Sequence, residues 1–480
     1  MNSSDNELKR NVIGIPQLVF FVISAVGPCV ACLGSIPVIL EFGNGIGAAG
    51  MFIIAMLIWI FFAVGYSAMG RYIRNTGAFY AYISQGMGKV WGIAASYMAV
   101  AGYMVINIGM YGFFGYAVNN LLYMTLHIMF PWWIIALLGL IVVTGLSYMS
   151  IDIEAKIVTV LMVIEIGMIF AMSIGAILFP SPEGYTLKPY TISAIISKSP
   201  GIAIMYALGC FVGFEITAVF SEEAKNPAKT VPIATYASVI ILGVMYSLAS
   251  YAAVCGWGTK GLTVYINNIY LTGGNPGSIY IELTRRLFGN AAALIPSCVI
   301  LSSIFTTLFS FHNMLSRYFF SMGRTGFIPK IFEIVHPKFK SPYRGVLLTT
   351  VITGAGIVLV AILGWDPFNQ VFAWLVGIAN LDLLVLYTVT ALAIIGFFRK
   401  TKRDNRIWNT LLSPALAAFG LIAATVLCIQ NFPMFTGASP GLGICMMIVL
   451  AICFVLAVWR GFYIKNHKPD IYKHVGENIL

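Results

Sequence analysis

The chain reads as an all-α integral membrane protein with about twelve transmembrane helices, and three observations carry that reading. Of its 480 residues, 59% are hydrophobic and only 9% are charged, a balance that soluble chains of this length do not sustain. Apolar runs recur at or above the ~20 residues that a helix needs to cross hydrocarbon. They are too long and too uniformly apolar for barrel strands, and without water the backbone must be satisfied inside each segment.

In order, the spans fall near 12–40, 46–69, 90–121, 131–150, 154–179, 200–220, 231–257, 291–322, 344–364, 368–398, 408–430 and 439–462. The first is too long for a signal-peptide core and runs directly into further spans, so it reads as retained. No Ser- or Pro-rich linker interrupts the series, which makes 1–480 a single domain. Spans 1–5 occupy 1–179, spans 6–10 occupy 199–398, spans 11 and 12 lie within 408–462, and 463–480 forms a tail.

The loops set the orientation. Of the 28 Lys and Arg residues, 23 fall in one set of connections and tails, Lys9, Arg74, Lys225, Arg324 and Arg399 among them. The opposite set holds only Lys188, Lys198, Lys260, Arg285 and Arg286. Basic loops face the cytoplasm, which places both termini there and predicts a multi-pass protein of the plasma (cytoplasmic or inner) membrane. The net charge of +11 is then a topology signal spread over short loops, and no nucleic-acid partner is expected. The eight cysteines are scattered through apolar segments. Cys29 and Cys32 read as small packing residues, and neither a metal site nor a cofactor is expected.

Two spans look interrupted at matching places. The first reads SAVGPCVACLGSIP from Ser24 to Pro37, with Gly27-Pro28 in mid-span; the sixth reads YALGCFVGFE from Tyr206 to Glu215. Each opens a five-span block, and broken helices at corresponding positions of two halves point to a midplane binding site. Gly and Pro can also merely kink a helix or let neighbours pack closely; the coincidence with Gly213 and Glu215 favours a site. N–H groups from about Cys29 to Cys32, after Ser24, Ala25, Gly27 and Pro28, are expected to lose their partners and suit a carboxylate. Carbonyls near Gly209 and Cys210 are expected to suit an ammonium, with Tyr206, Phe211 and Phe214 as aromatic walls. The ligand expected of such a pair is a small zwitterion.

Acids at membrane depth mark ion pathways and proton relays by default. Glu215 ends the sixth span, Glu165 interrupts the fifth and Asp382 the tenth; His312 lies in the eighth. Structural readings stand beside these: a cap for Glu215, an interhelical bond for Glu165 or Asp382, hydrogen-bonded structure for His312.

GFE at 213–215, EEAKNP at 222–227 and VPIA at 231–234 form one run, SRYFFSMGRTGFIPKIFEIVHPKFKSPYRGV fills 316–346, and IIGFFRK fills 394–400. These motifs resemble the signature segments of the amino acid–polyamine–organocation transporters. The resemblance implies a five-plus-five inverted repeat of the leucine-transporter type, working by alternating access around discontinuous helices 1 and 6. It places Glu215 on the family's sixth-helix acid, which couples substrate binding to gating. Phe311 falls near a pocket-lining aromatic, and Glu165 where several relatives carry a lysine in place of sodium. The Gly27-Pro28-Cys29 break departs from the family's commoner G-x-G and looks more like the branch with putrescine importers.

The expectation is a carrier, since no nucleophile–base–orienter set or metal cluster suggests an enzyme. An amino-acid permease running by proton-coupled symport or exchange leads. A polyamine or amine importer is the alternative, because the candidate acids outnumber basic partners. The expected partners are a small-molecule substrate, protons and the lipid bilayer.

Overall fold

Each apolar run expected from the sequence is helical over all or part of its length in the computed structural model, which describes residues 8–73, 77, 79–149, 151–272 and 277–476. Among them, ten helices are long and apolar enough to cross a membrane: Ile15–Phe42, Gly45–Gly70, Lys89–Leu126, Ile151–Leu178, Pro227–Trp257, Asn290–Thr325, Tyr343–Ile362, Pro367–Thr401, Trp408–Gln430 and Pro440–His467. The shorter apolar helices Trp132–Ser147 and Pro200–Gly209 take the fourth and sixth places. Numbered in chain order, these are helices 1 to 12. Arg74, counted among the basic loop residues, lies outside the described residues.

Burial sorts the helices by position. In its most apolar window helix 1 is 72% buried and helix 12 only 11%, so helix 1 runs through the centre and helix 12 presents Ile448, Val455 and Trp459 outward. Between helices 7 and 8 the chain forms two further helices, Thr259–Thr272 and Ser278–Phe288. The second is amphipathic: Ile279, Tyr280 and Leu283 are buried, while Glu282 pairs with Arg285 on the other face.

Helix 1 breaks for a local reason. Gly27 adopts φ 67°, ψ 73°, a left-handed conformation that glycine alone takes without a steric penalty. Pro28 follows at the first position of the next helical turn, where a missing N–H costs nothing. Beyond it, Ala31–Ser35 forms a π-helical turn before Ile36–Phe42 completes the span. Helix 6 stops at Gly209, and a chain of tight turns carries it past Gly213 (φ 116°) to the short helix Ile216–Val219.

Candidate functional site

The helix 1 break orphans specific backbone groups, and neighbouring side chains satisfy them. The Ser24 carbonyl would normally accept from the N–H of residue 28, which proline lacks. The Thr307 hydroxyl of helix 8 donates to it instead (2.9 Å), and the Ser24 and Ser310 hydroxyls lie 2.6 Å apart. The Cys29 N–H, freed from the helix, donates to Glu165 Oε1 (2.8 Å), which also accepts from the Ser303 hydroxyl at 2.6 Å. Helix 5 therefore supplies a carboxyl acceptor where the sequence suggested a substrate carboxylate, because a buried N–H left open costs more than one filled from within. Glu165 Oε2 has no hydrogen-bond partner.

The helix 6 break is held in the same manner. Trp59 Nε1 donates to the Leu208 carbonyl at 3.2 Å. The Gly209 carbonyl, expected to face a substrate ammonium, accepts locally from the Val212 N–H at 3.2 Å. Glu215 is fully buried. It accepts from the hydroxyls of Tyr103 and Tyr387 and from the Gly213 N–H (3.1 Å). This carboxylate thus ties the break to helices 3 and 10. Gly213 packs on helix 1, where an added Cβ would sit 3.3 Å from that of Ala25.

A cavity of about 720 Å³ begins at these breaks. It reaches the surface at the end bearing Phe42 and Met434, each 39% exposed. Of the expected site residues, Ala25, Tyr206, Gly209, Cys210 and Phe311 line it. Ser24, Gly27, Pro28, Cys29 and Gly213 lie behind that surface and shape the breaks. Phe214 stacks on Tyr387 (5.6 Å, 10°) and Phe211 meets Tyr246 edge-on. Both are core aromatics rather than cavity walls, because the turns after Gly209 rotate them inward.

His312 faces helix 9, with Nε2 3.4 Å from the Thr350 hydroxyl. Asp382 is buried against helix 3, where a Cβ on Gly102 would fall 2.4 Å from its Oδ2. That oxygen has no partner, while Asn380, two residues earlier, reaches the cavity.

Sequence reasoning missed the main walls. Phe113 packs on Phe368 (5.3 Å) and Phe372 (4.6 Å), and Tyr116 stacks on Phe368 at 4.9 Å. Their i, i+3 and i, i+4 spacing on helices 3 and 10 was the available signal, but such stripes are ordinary core pattern as well.

The opposite end is shut. Phe21 of helix 1 stacks on Phe220 at 4.8 Å, and the Arg317 guanidinium lies 4.3 Å over the same ring. Arg317 donates to both oxygens of Glu223 (2.6 and 2.9 Å), with side chains only 1% and 2% exposed. Arg324 pairs with Glu222 in the same way. The N–H groups of Val12 and Ile13 donate to the Glu223 carbonyl, and Lys225 N–H donates back to Ile13. The EEAKNP hairpin thereby fastens the entry to helix 1 onto helix 8.

A membrane-helix bundle with a central cavity open at one end and bolted at the other has the build of a solute transporter. The chain belongs to the amino acid permease family, whose model matches residues 17–473; its helical architecture is consistent with the leucine-transporter-type fold.

The human cystine/glutamate transporter is 23% identical over 463 residues, covering 90% of this chain and 82% of its own length. The low-affinity putrescine importer PlaP of Escherichia coli K12 is 23% identical over 73% of this chain and 74% of its own. The methylthioribose transporter of Bacillus subtilis 168 is 24% identical over 54% of this chain, and the match spans 51% of that protein's length. Family and relatives are transporters, not enzymes. The relatives' names span three kinds of substrate, so kinship leaves the cargo open.

Proposed function

We propose that this chain is a secondary active carrier that moves an amino acid across the cytoplasmic membrane by alternating access. Its basic loops and both termini face the cytoplasm, and the halves 1–179 and 199–398 act as inverted repeats. The observation that carries the reading is the pairing of a roughly 720 Å³ cavity, ending at two broken helices, with a sealed far end built on Arg317–Glu223. A channel would need a continuous path; this arrangement suits one state of a carrier that closes one side before opening the other.

Proton coupling falls to Glu165 and Asp382, each with one carboxylate oxygen lacking a partner, an arrangement that a bound proton would complete. Glu215, with both oxygens accepting, acts as the pin that couples the helix 6 break to its neighbours. The experiment is uptake and counterflow in proteoliposomes with and without an inward proton gradient. Saturable counterflow is expected, with the gradient response abolished in Glu165→Gln or Asp382→Asn; uptake linear in concentration and without counterflow would sink the carrier. Glu215→Gln is expected to cripple transport in a protein that still folds.

A second reading, an amine importer, draws on Glu165 already occupying the Cys29 N–H that a substrate carboxylate would use. Transport surviving amidation of the substrate carboxylate would favour it.

A further inference from the structure

We infer that the cargo is a zwitterion of zero net charge bearing a bulky apolar side chain, and not a polyamine or an amino acid with a charged side chain. The inference rests on the carrier reading above and adds the substrate class.

Among the described residues that line the cavity there is no Asp, Glu, Lys, Arg or His. The acids nearest by sequence are engaged behind the wall. Glu165 is held by Cys29 and Ser303, and Glu215 by Tyr103, Tyr387 and Gly213. Side-chain polarity on the wall is confined to neutral dipoles such as Asn120, Asn369, Asn380, Ser35 and Thr307. A cargo carrying an unbalanced charge would be stripped of water here with no counter-ion to meet it. A zwitterion brings no net charge to neutralise, and neutral dipoles of the wall such as Ser35, Asn369 and Asn380 suffice to meet its carboxylate and ammonium.

The walls specify the rest of the molecule. One part of the wall is the Phe113–Phe368–Phe372 cluster, and another is Tyr206 set edge-on against Phe435 at 4.8 Å. The enclosed space lies well within the range of sites that bury a whole small ligand. Apolar carbon placed between these rings leaves water, and each added methylene should tighten binding about four-fold.

The test uses the full chain, purified and reconstituted, with radiolabelled leucine in counterflow and unlabelled competitors. Leucine, methionine and phenylalanine are expected to compete best, alanine roughly 60-fold worse than leucine at about four-fold for each of three carbons. Lysine, glutamate and putrescine should be at least about 100-fold weaker than leucine. Asn380→Asp puts a carboxylate on the wall and should narrow the lysine deficit at least about ten-fold. Thermal unfolding of the wild-type protein gives a readout independent of that variant: leucine should raise the midpoint, and lysine and putrescine should not. Saturable counterflow of lysine, glutamate or putrescine without leucine would overturn the inference and leave the carrier standing. Absence of counterflow with every labelled compound tried would remove both.

Discussion

The two ends of this bundle are built from opposite materials. At the open end the cavity wall is aromatic, aliphatic and amide, with no Asp, Glu, Lys, Arg or His among its described residues. At the closed end a buried bidentate ion pair, a guanidinium over a phenyl ring and a backbone stitch meet within one layer. The difference follows from what each end has to do. A site that must release its ligand is best made of many weak contacts. A closure that must open reversibly, without leaving apolar surface bare, is better made of a few strong pairs that water can solvate once they part.

The largest effect expected on this contrast comes from Arg317→Ala. Removing one partner of a buried pair leaves the other charge stranded, at a cost of about 3–5 kcal/mol. The variant should unfold markedly earlier in detergent and lose counterflow. Glu223→Gln combined with Arg317→Met removes both charges and should recover much of the midpoint, while cysteines placed near Phe21 become labelled from the basic side. An Arg317→Ala protein as stable as wild type would mean that the pair does not hold that end.

A middle effect is expected where the halves meet. Tyr387→Phe deletes one of three donors to Glu215, worth about 1.5–3 kcal/mol for a bond to a charged acceptor. Thermal midpoint and exchange rate should both fall, and an unchanged midpoint would leave Glu215 without its structural role. Thr307→Val, which strips the Ser24 carbonyl of its substitute donor, should cost less, about 1 kcal/mol. Thr307→Ser, which keeps the hydroxyl, should stay near wild type; equal losses in both would assign the effect to packing.

Much of the fold was legible because the governing patterns are local. Length and apolarity place the twelve helices, and Gly27-Pro28 states its own break, since one residue tolerates the left-handed turn and the next cannot donate. Glu215 was legible for a similar reason, an acid set beside a helix break. What stayed hidden depends on rotation and on partners far away in sequence. Nothing local says that Glu165 reaches across to Cys29, 136 residues away, or that the turns after Gly209 swing Phe211 and Phe214 into the core. The cavity wall was least legible, since Phe113, Phe368 and Phe372 are indistinguishable in pattern from helix packing until helices 3 and 10 are brought together.

The smallest effect expected lies at the open end's surface, in a charge that does no bolting. Glu183, an exposed loop residue, accepts from the N–H (2.8 Å) and hydroxyl (2.7 Å) of Thr259 and from the Lys260 N–H (3.3 Å). It so caps the helix Thr259–Thr272 at its start. The bonds from Thr259 hold its carboxyl below the usual carboxylate range. A lowered value in the folded protein means that the capping is fully present above the unfolded value of about 4.3 and fades as pH falls through the lower folded one. Hydrogen exchange at the Thr259 and Lys260 amides, corrected for intrinsic rates, should therefore lose protection only in that acid window, and Glu183→Gln should weaken the protection at neutral pH. Arg317→Ala should leave those amides untouched. Loss of protection there in that variant would mean that the two ends are coupled through the bundle, and the division between a bolted end and one with an uncharged cavity wall would have to give way to a single linked device.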